Sequence, residues 1–104
     1  MEIRYIEDAI GDVRETIAYL EERSPLTARR FELELEGLVA KLAKHPEFGF
    51  PVGDWFRKAP FRTLSWSVVY RIDRQNSAIW IVVVRHRLLH PSFGTGRNLP
   101  SGFQ

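Results

Sequence analysis

The sequence contains no cysteine and a single methionine in 104 residues. Without thiols there is no disulfide framework, no thiolate metal site and no dithiol redox chemistry. A reducing, cytoplasmic location is expected. Long apolar runs are missing as well. The longest, Ile79 to Val84 with Ala78 before it, spans seven residues, against about 20 for a membrane-crossing helix. The start, Met1-Glu2-Ile3-Arg4, lacks the apolar stretch of a secretory leader. Neither a signal peptide nor a membrane partner is expected. Acidic residues are scarce in one half only. Residues 52–104 hold two acids, Asp54 and Asp73, against eight Lys/Arg, whereas residues 1–51 hold 11 acids against seven. The halves carry +6 and −4 within a net charge of +2. A basic half that meets an anionic partner, and a chain that pairs its own halves, both account for this asymmetry.

What is present reads as one globular domain, with 44% apolar, 12% aromatic and 27% charged residues. "EIRYIE" (Glu2 to Glu7) reads as a short strand running into a helix. Ile6, Ile10, Val13, Ile17 and Leu20 then recur at steps of 4, 3, 4 and 3, one stripe of an amphipathic helix. Asp8, Asp12 and Glu15 fall on its polar side. In "SPLTARRF", Ser24 suits the N-cap and Pro25 the first position of a second helix. That helix carries its own stripe, Ala28, Phe31, Leu35, Leu38 and Leu42, and should end near His45 because Pro46 follows. The short gap at Glu22 to Ser24 makes the two helices an antiparallel hairpin.

After the turn-rich stretch Pro46 to Asp54, expected as a loop, the period changes to 2. Phe56 to Leu64 supplies one strand and Trp66 to Ile72 a second. "DRQNSA" makes a hairpin turn into "IWIVVVRH" (Ile79 to His86), a central strand apolar on both faces. Trp66 and Trp80, on neighbouring strands, are expected to pair across the sheet. The fold class is α+β: a two-helix hairpin packed on one face of a small antiparallel sheet, in the order β-α-α-β-β-β. The domain is expected over residues 1–90. Residues 91–104, with three glycines and two prolines, read as a flexible C-terminal tail.

"SPLTARRFELELEGLVAKLAKHPEFGFPV", "RKAPFRTLSWSVVYRID" and "AIWIVVVRH", in this order, resemble the ParE/RelE superfamily of bacterial type II toxin–antitoxin toxins, which includes plasmid stabilisation proteins. The resemblance implies a cognate antitoxin as partner, no cofactor, and one of two activities. ParE-like members poison DNA gyrase by protein–protein contact, and RelE-like members cut mRNA at the ribosome. An inactive member that only binds its antitoxin is a third reading.

The resemblance points to the end of the last strand. Arg71, Arg85, Arg87 and Arg62 are expected to project from the face away from the helices, where guanidinium forks suit phosphate or acidic side chains. Contact with target or antitoxin is assigned to Arg71, Arg85, Arg87, His90 and Trp55. Arg85→Ala is expected to weaken binding without unfolding the chain. A nuclease would use Arg62, Arg71, Arg85 and His86. His86 has two readings, proton transfer and a structural ring at the sheet edge. A nuclease also needs an acid and a base. The tail after His90 contains no Tyr, His, Asp or Glu, which departs from the RelE pattern and favours the ParE-like, non-enzymatic reading. His86 and His90 have zinc-ligand spacing only on a helix, and no third ligand is evident, so no metal is expected.

Overall fold

Both apolar stripes become helices in the computed structural model, which describes residues 1–86 and 94–99. Helix α1 spans Glu7–Arg23 and α2 spans Pro25–Lys44, joined through Ser24. The Ser24 hydroxyl accepts the Thr27 backbone N–H at 3.2 Å, closing one free donor of the α2 N-terminus. His45 caps the other end. All five stripe residues of α2, Ala28, Phe31, Leu35, Leu38 and Leu42, are buried. The Phe31 ring meets Phe61 at 5.2 Å and Trp66 edge-on at 5.8 Å, which locks α2 to the sheet.

Five strands follow the order β1-β5-β4-β3-β2, with β1 at Glu2–Tyr5, β2 at Phe50–Val52, β3 at Phe56–Pro60, β4 at Trp66–Asp73 and β5 at Ala78–His86. Three points correct the sequence reading. The sheet is mixed, because β1 lies parallel to β5 while the other pairs are antiparallel. The stretch read as a loop contains β2, which pairs Phe50 with Lys58 and Val52 with Phe56. The two tryptophans do not pair. Trp66 lies opposite His86 and Trp80 opposite Arg71, at different ends of the β4–β5 ladder.

The β4–β5 ladder contains a bulge. Val69 pairs with Val83 but Tyr70 pairs with Ile81, leaving Val82 as the extra residue. Beyond that point no described strand pairs with β5 on its outer side, since β1 pairs only with Ala78 to Ile81 and the last rung is Ile6 N–H to the Ile81 carbonyl at 3.1 Å. Side chains complete the edge. Val84 N–H donates to the Asp12 carboxylate at 3.0 Å, and Arg97 Nη1 donates to the Val82 carbonyl at 2.8 Å. Buried backbone groups at a bare edge need such partners.

Arg97 lies in the segment expected to be a flexible tail. Residues 91–93 and 100–104 are outside the described residues, but 94–99 are docked rather than free. Gly94 adopts φ +83° so close to the sheet that an added Cβ would stand 2.0 Å from Val83 Cγ2. Leu99 packs against the core cluster.

Candidate functional site

The strand-end cations expected to seek anions have separate fates. Ser67 lies opposite Arg85, and alternation along β4 puts Arg71 on the same face. Arg85 is nevertheless held within the chain: its Nη2 pairs with Asp12 Oδ1 at 2.9 Å, and its Nη1 stands 3.8 Å from Glu15. Asp12 also takes Arg97, at 2.9 and 3.3 Å. This carboxylate, 2% exposed, gathers two guanidiniums and the Val84 amide. Arg85, expected on an open anion-binding face, is thus ion-paired to α1 while 35% of its side chain stays exposed. Sequence reasoning missed Asp12 by placing it on the solvent side. The available signal was its position three residues after the fully buried Ala9, on a flank of the apolar stripe.

His86 sits on the other face, its ring edge-on to Trp66 at 5.1 Å. Arg62 is exposed in the β3–β4 turn. Arg87 and His90 lie outside the described residues. Arg71 and Trp55 do come together, with the guanidinium carbon 4.9 Å above the indole. Trp55 is 66% exposed. The two side chains line a cleft of ≈ 220 Å³ with Pro51, Asp54 and Arg57.

A larger groove of ≈ 890 Å³ runs beside α2. Leu26, Leu33 and Phe48 give it exposed apolar surface, and Arg29, Lys41 and Arg62 are among its cations. Its acid, Glu34, is committed to structure. The Glu34 carboxylate accepts the backbone N–H of Thr63 at 2.8 Å and of Leu64 at 3.1 Å, together with the Thr63 hydroxyl. Burial pushes its pKa up, but these bonds and nearby Arg30 outweigh burial and hold it below the usual carboxylate value.

The tyrosine nearest the strand cations is structural. Tyr70 is fully buried; its hydroxyl accepts Gly49 N–H at 2.9 Å and donates to the Pro46 carbonyl at 2.6 Å. Burial raises its pKa, opposed by the Gly49 amide and the Arg57 charge. Among the described residues no group of three or more His, Cys, Asp or Glu is placed to hold a metal. No described helix is long and apolar enough to cross a membrane.

Comparison with known proteins agrees with this architecture. A family model described as the ParE toxin of the type II toxin-antitoxin system, parDE, matches residues 3–88. No curated protein sequence matches significantly. Among solved structures, a chain of the chromosomal ParDE toxin–antitoxin system of P. aeruginosa superposes with a TM-score of 0.69 at 16% identity, covering 83% of this chain and 95% of that one. The isolated RelE toxin of E. coli superposes with a TM-score of 0.60 at 10% identity, covering 90% and 92%. The structural likenesses establish the shared fold, and the sequence match across both helices and the sheet establishes that this chain belongs to the ParE family of type II toxin–antitoxin toxins.

Proposed function

We propose that this ParE-family chain acts by protein–protein contact on a gyrase-type target, is held in check by a cognate antitoxin, and does not cut mRNA. The observation that carries the reading is the capture of Arg85 by Asp12 at 2.9 Å. Cutting RNA at the ribosome would need several cations on one phosphate, with an acid and a base beside them. Here Arg85 is bound to α1, His86 meets Trp66 edge-on on the other face, Arg71 lies on Trp55, and Arg62 opens onto the α2 groove. These four groups do not converge. The groove beside α2 supports the antitoxin part of the proposal. Apolar surface edged by cations suits an amphipathic, acidic segment, a common mode of peptide recognition.

The test is a supercoiling assay with purified DNA gyrase and excess chain, run beside a translating-ribosome reaction in which mRNA 5′ ends are mapped. Inhibited supercoiling with no new 5′ ends is expected. New ends at the ribosome, with supercoiling untouched, would move the chain to the RelE-like reading.

A further inference from the structure

Glycine in the middle of a helix needs a reason. Its bare backbone loses more freedom on folding than that of alanine, so it weakens the helix that holds it. Gly37 lies deep inside α2, and its backbone is helical. No packing within the chain calls for it. A Cβ built at Gly37 meets no described atom within 4 Å outside its own helix. Gly49 shows the contrast, since a Cβ there would stand 2.8 Å from the Lys58 carbonyl and from the Tyr70 hydroxyl. Gly11 in α1 is as open as Gly37, but it lines neither hollow.

What sets Gly37 apart is the place onto which it opens. It is exposed on the wall of the ≈ 890 Å³ groove, with Leu33 one turn before it and Lys41 one turn after. Leu33 is 50% exposed. Lys41 lies 3.9 Å over the ring of Phe48, itself 45% exposed. The missing side chain leaves a notch between these groups.

The groove also specifies its occupant. Its helical wall runs from Leu26 to Lys41, about 22 Å at 1.5 Å per residue. The opposite wall offers no strand edge. Pro60 has no N–H, and the amides of Phe61 and Thr63 are taken by the Trp66 carbonyl at 2.9 Å and the Glu34 carboxylate at 2.8 Å. An occupant is therefore held by side chains, which suits a helix laid in the groove. Charge sets its sign. Lys41 and Arg62 are exposed, and no described carboxylate stands within 4.0 Å of either. Glu34, the one acid in the lining, already accepts hydrogen bonds from Thr63 and Leu64.

We infer that Gly37 is the seat for one bulky apolar side chain of an acidic, amphipathic antitoxin helix, and that α2 stays less stable than alanine would make it because the seat must remain open. The inference rests on the antitoxin reading of this groove, and adds the partner's secondary structure and the point of closest contact. A residue without Cβ at the crossing lets two helices approach to the short end of the usual 8–10 Å between axes.

The test measures Tm, and affinity for the purified cognate antitoxin by calorimetry, for wild type, Gly37→Ala, Gly37→Leu, Leu33→Asp and Arg62→Glu. Gly37→Ala should raise Tm by about 2–8 °C, because alanine is the better helix former. It should also weaken antitoxin binding about tenfold, because the added methyl meets the seated side chain. Gly37→Leu fills the notch and should weaken binding about a hundredfold, with Tm at or above that of wild type. Leu33→Asp and Arg62→Glu should each lose about tenfold or more. A glycine kept only for the fold would not move stability and affinity in opposite directions. Unchanged affinity of Gly37→Leu beside a weakened Leu33→Asp overturns the inference and leaves the antitoxin groove standing. Unchanged affinity in all four variants, or a wild type that binds no antitoxin, overturns the groove reading and the inference together. Melting of Gly37→Ala below wild type overturns the inference by assigning the glycine to the fold. A wild-type dimer in light scattering that Gly37→Leu breaks gives the groove to a second copy and overturns it too.

Discussion

Replacing Asp12 by alanine should be among the most damaging single changes outside the apolar core. The substitution removes a carboxylate, 2% exposed, that binds Arg85 and Arg97 and accepts the Val84 amide at 3.0 Å. Three costs follow. The Val84 N–H is left buried without its acceptor, worth about 1–3 kcal/mol. Arg97, 16% exposed, keeps its charge but loses its bidentate partner. Arg85 is 35% exposed and already 3.8 Å from Glu15, so it relaxes toward water and that second acid at lower cost. Breaking a buried pair costs about 3–5 kcal/mol, and the relief available to Arg85 puts the expected loss near the lower end, about 3–4 kcal/mol. For a domain of this size each kcal/mol lowers Tm by about 4–8 °C, so the variant should melt about 12–32 °C early. Asp12→Asn keeps an acceptor for Val84 and should lose about half as much. Thermal and urea unfolding read both variants, and an unchanged urea m-value would show that stability moved and not compactness. A double-mutant cycle with Arg97→Ala should return a coupling of about 1 kcal/mol or more. Were Asp12→Ala to melt within about 2 °C of wild type, the carboxylate would not be the tie between α1 and the β5 edge, and the nuclease reading would regain its cation.

Two further perturbations probe other joints. Tyr70→Phe removes a hydroxyl that joins Gly49 N–H and the Pro46 carbonyl, and should cost about 1–3 kcal/mol in chemical denaturation. Burial raises the pKa of both Tyr70 and Tyr5 above the ordinary value near 10. The folded state therefore holds these protons more tightly than the unfolded state, and the stabilisation is complete below about pH 10 and lost as pH rises through the folded values. Tyr70→Phe should flatten part of that alkaline decline, and an unchanged slope would count against the buried hydroxyl. Glu34→Gln tests the acid side. The bonds from Thr63 and Leu64 depress the Glu34 pKa below 4.5 in spite of burial, so its contribution is present above that value and fades as pH falls through the folded one. The variant should be less stable at pH 7 and lose less than wild type between pH 5 and 3; equal losses would remove Glu34 from the acid limb.

The helices, their boundaries and the strands β3, β4 and β5 were legible in the sequence. Each is written locally: a 3.6-residue stripe, a Ser-Pro start, a Pro after the last turn, a switch to period 2. The five buried stripe residues of α2 are the five the spacing names. The Trp55–Arg71 neighbourhood was only half legible. Both residues stood out by type, but their stacking joins a turn to a strand 16 positions on.

By itself, the sequence determined the striped hairpin and the apolar central strand, because each depends on residues within a turn or two of one another, while composition alone gave the lack of thiol chemistry and the order of three segments gave the family pattern. Tertiary structure alone decided that β1 lies parallel beside β5, that β5 runs on past it with a bare edge, and that Asp12 and Arg97 complete that edge. Those choices join residues 72 and 85 positions apart in the chain. No local period encodes which distant carboxylate a guanidinium will meet. Packing brings them together, and the cost of a buried, unpaired charge then makes the pairing obligatory.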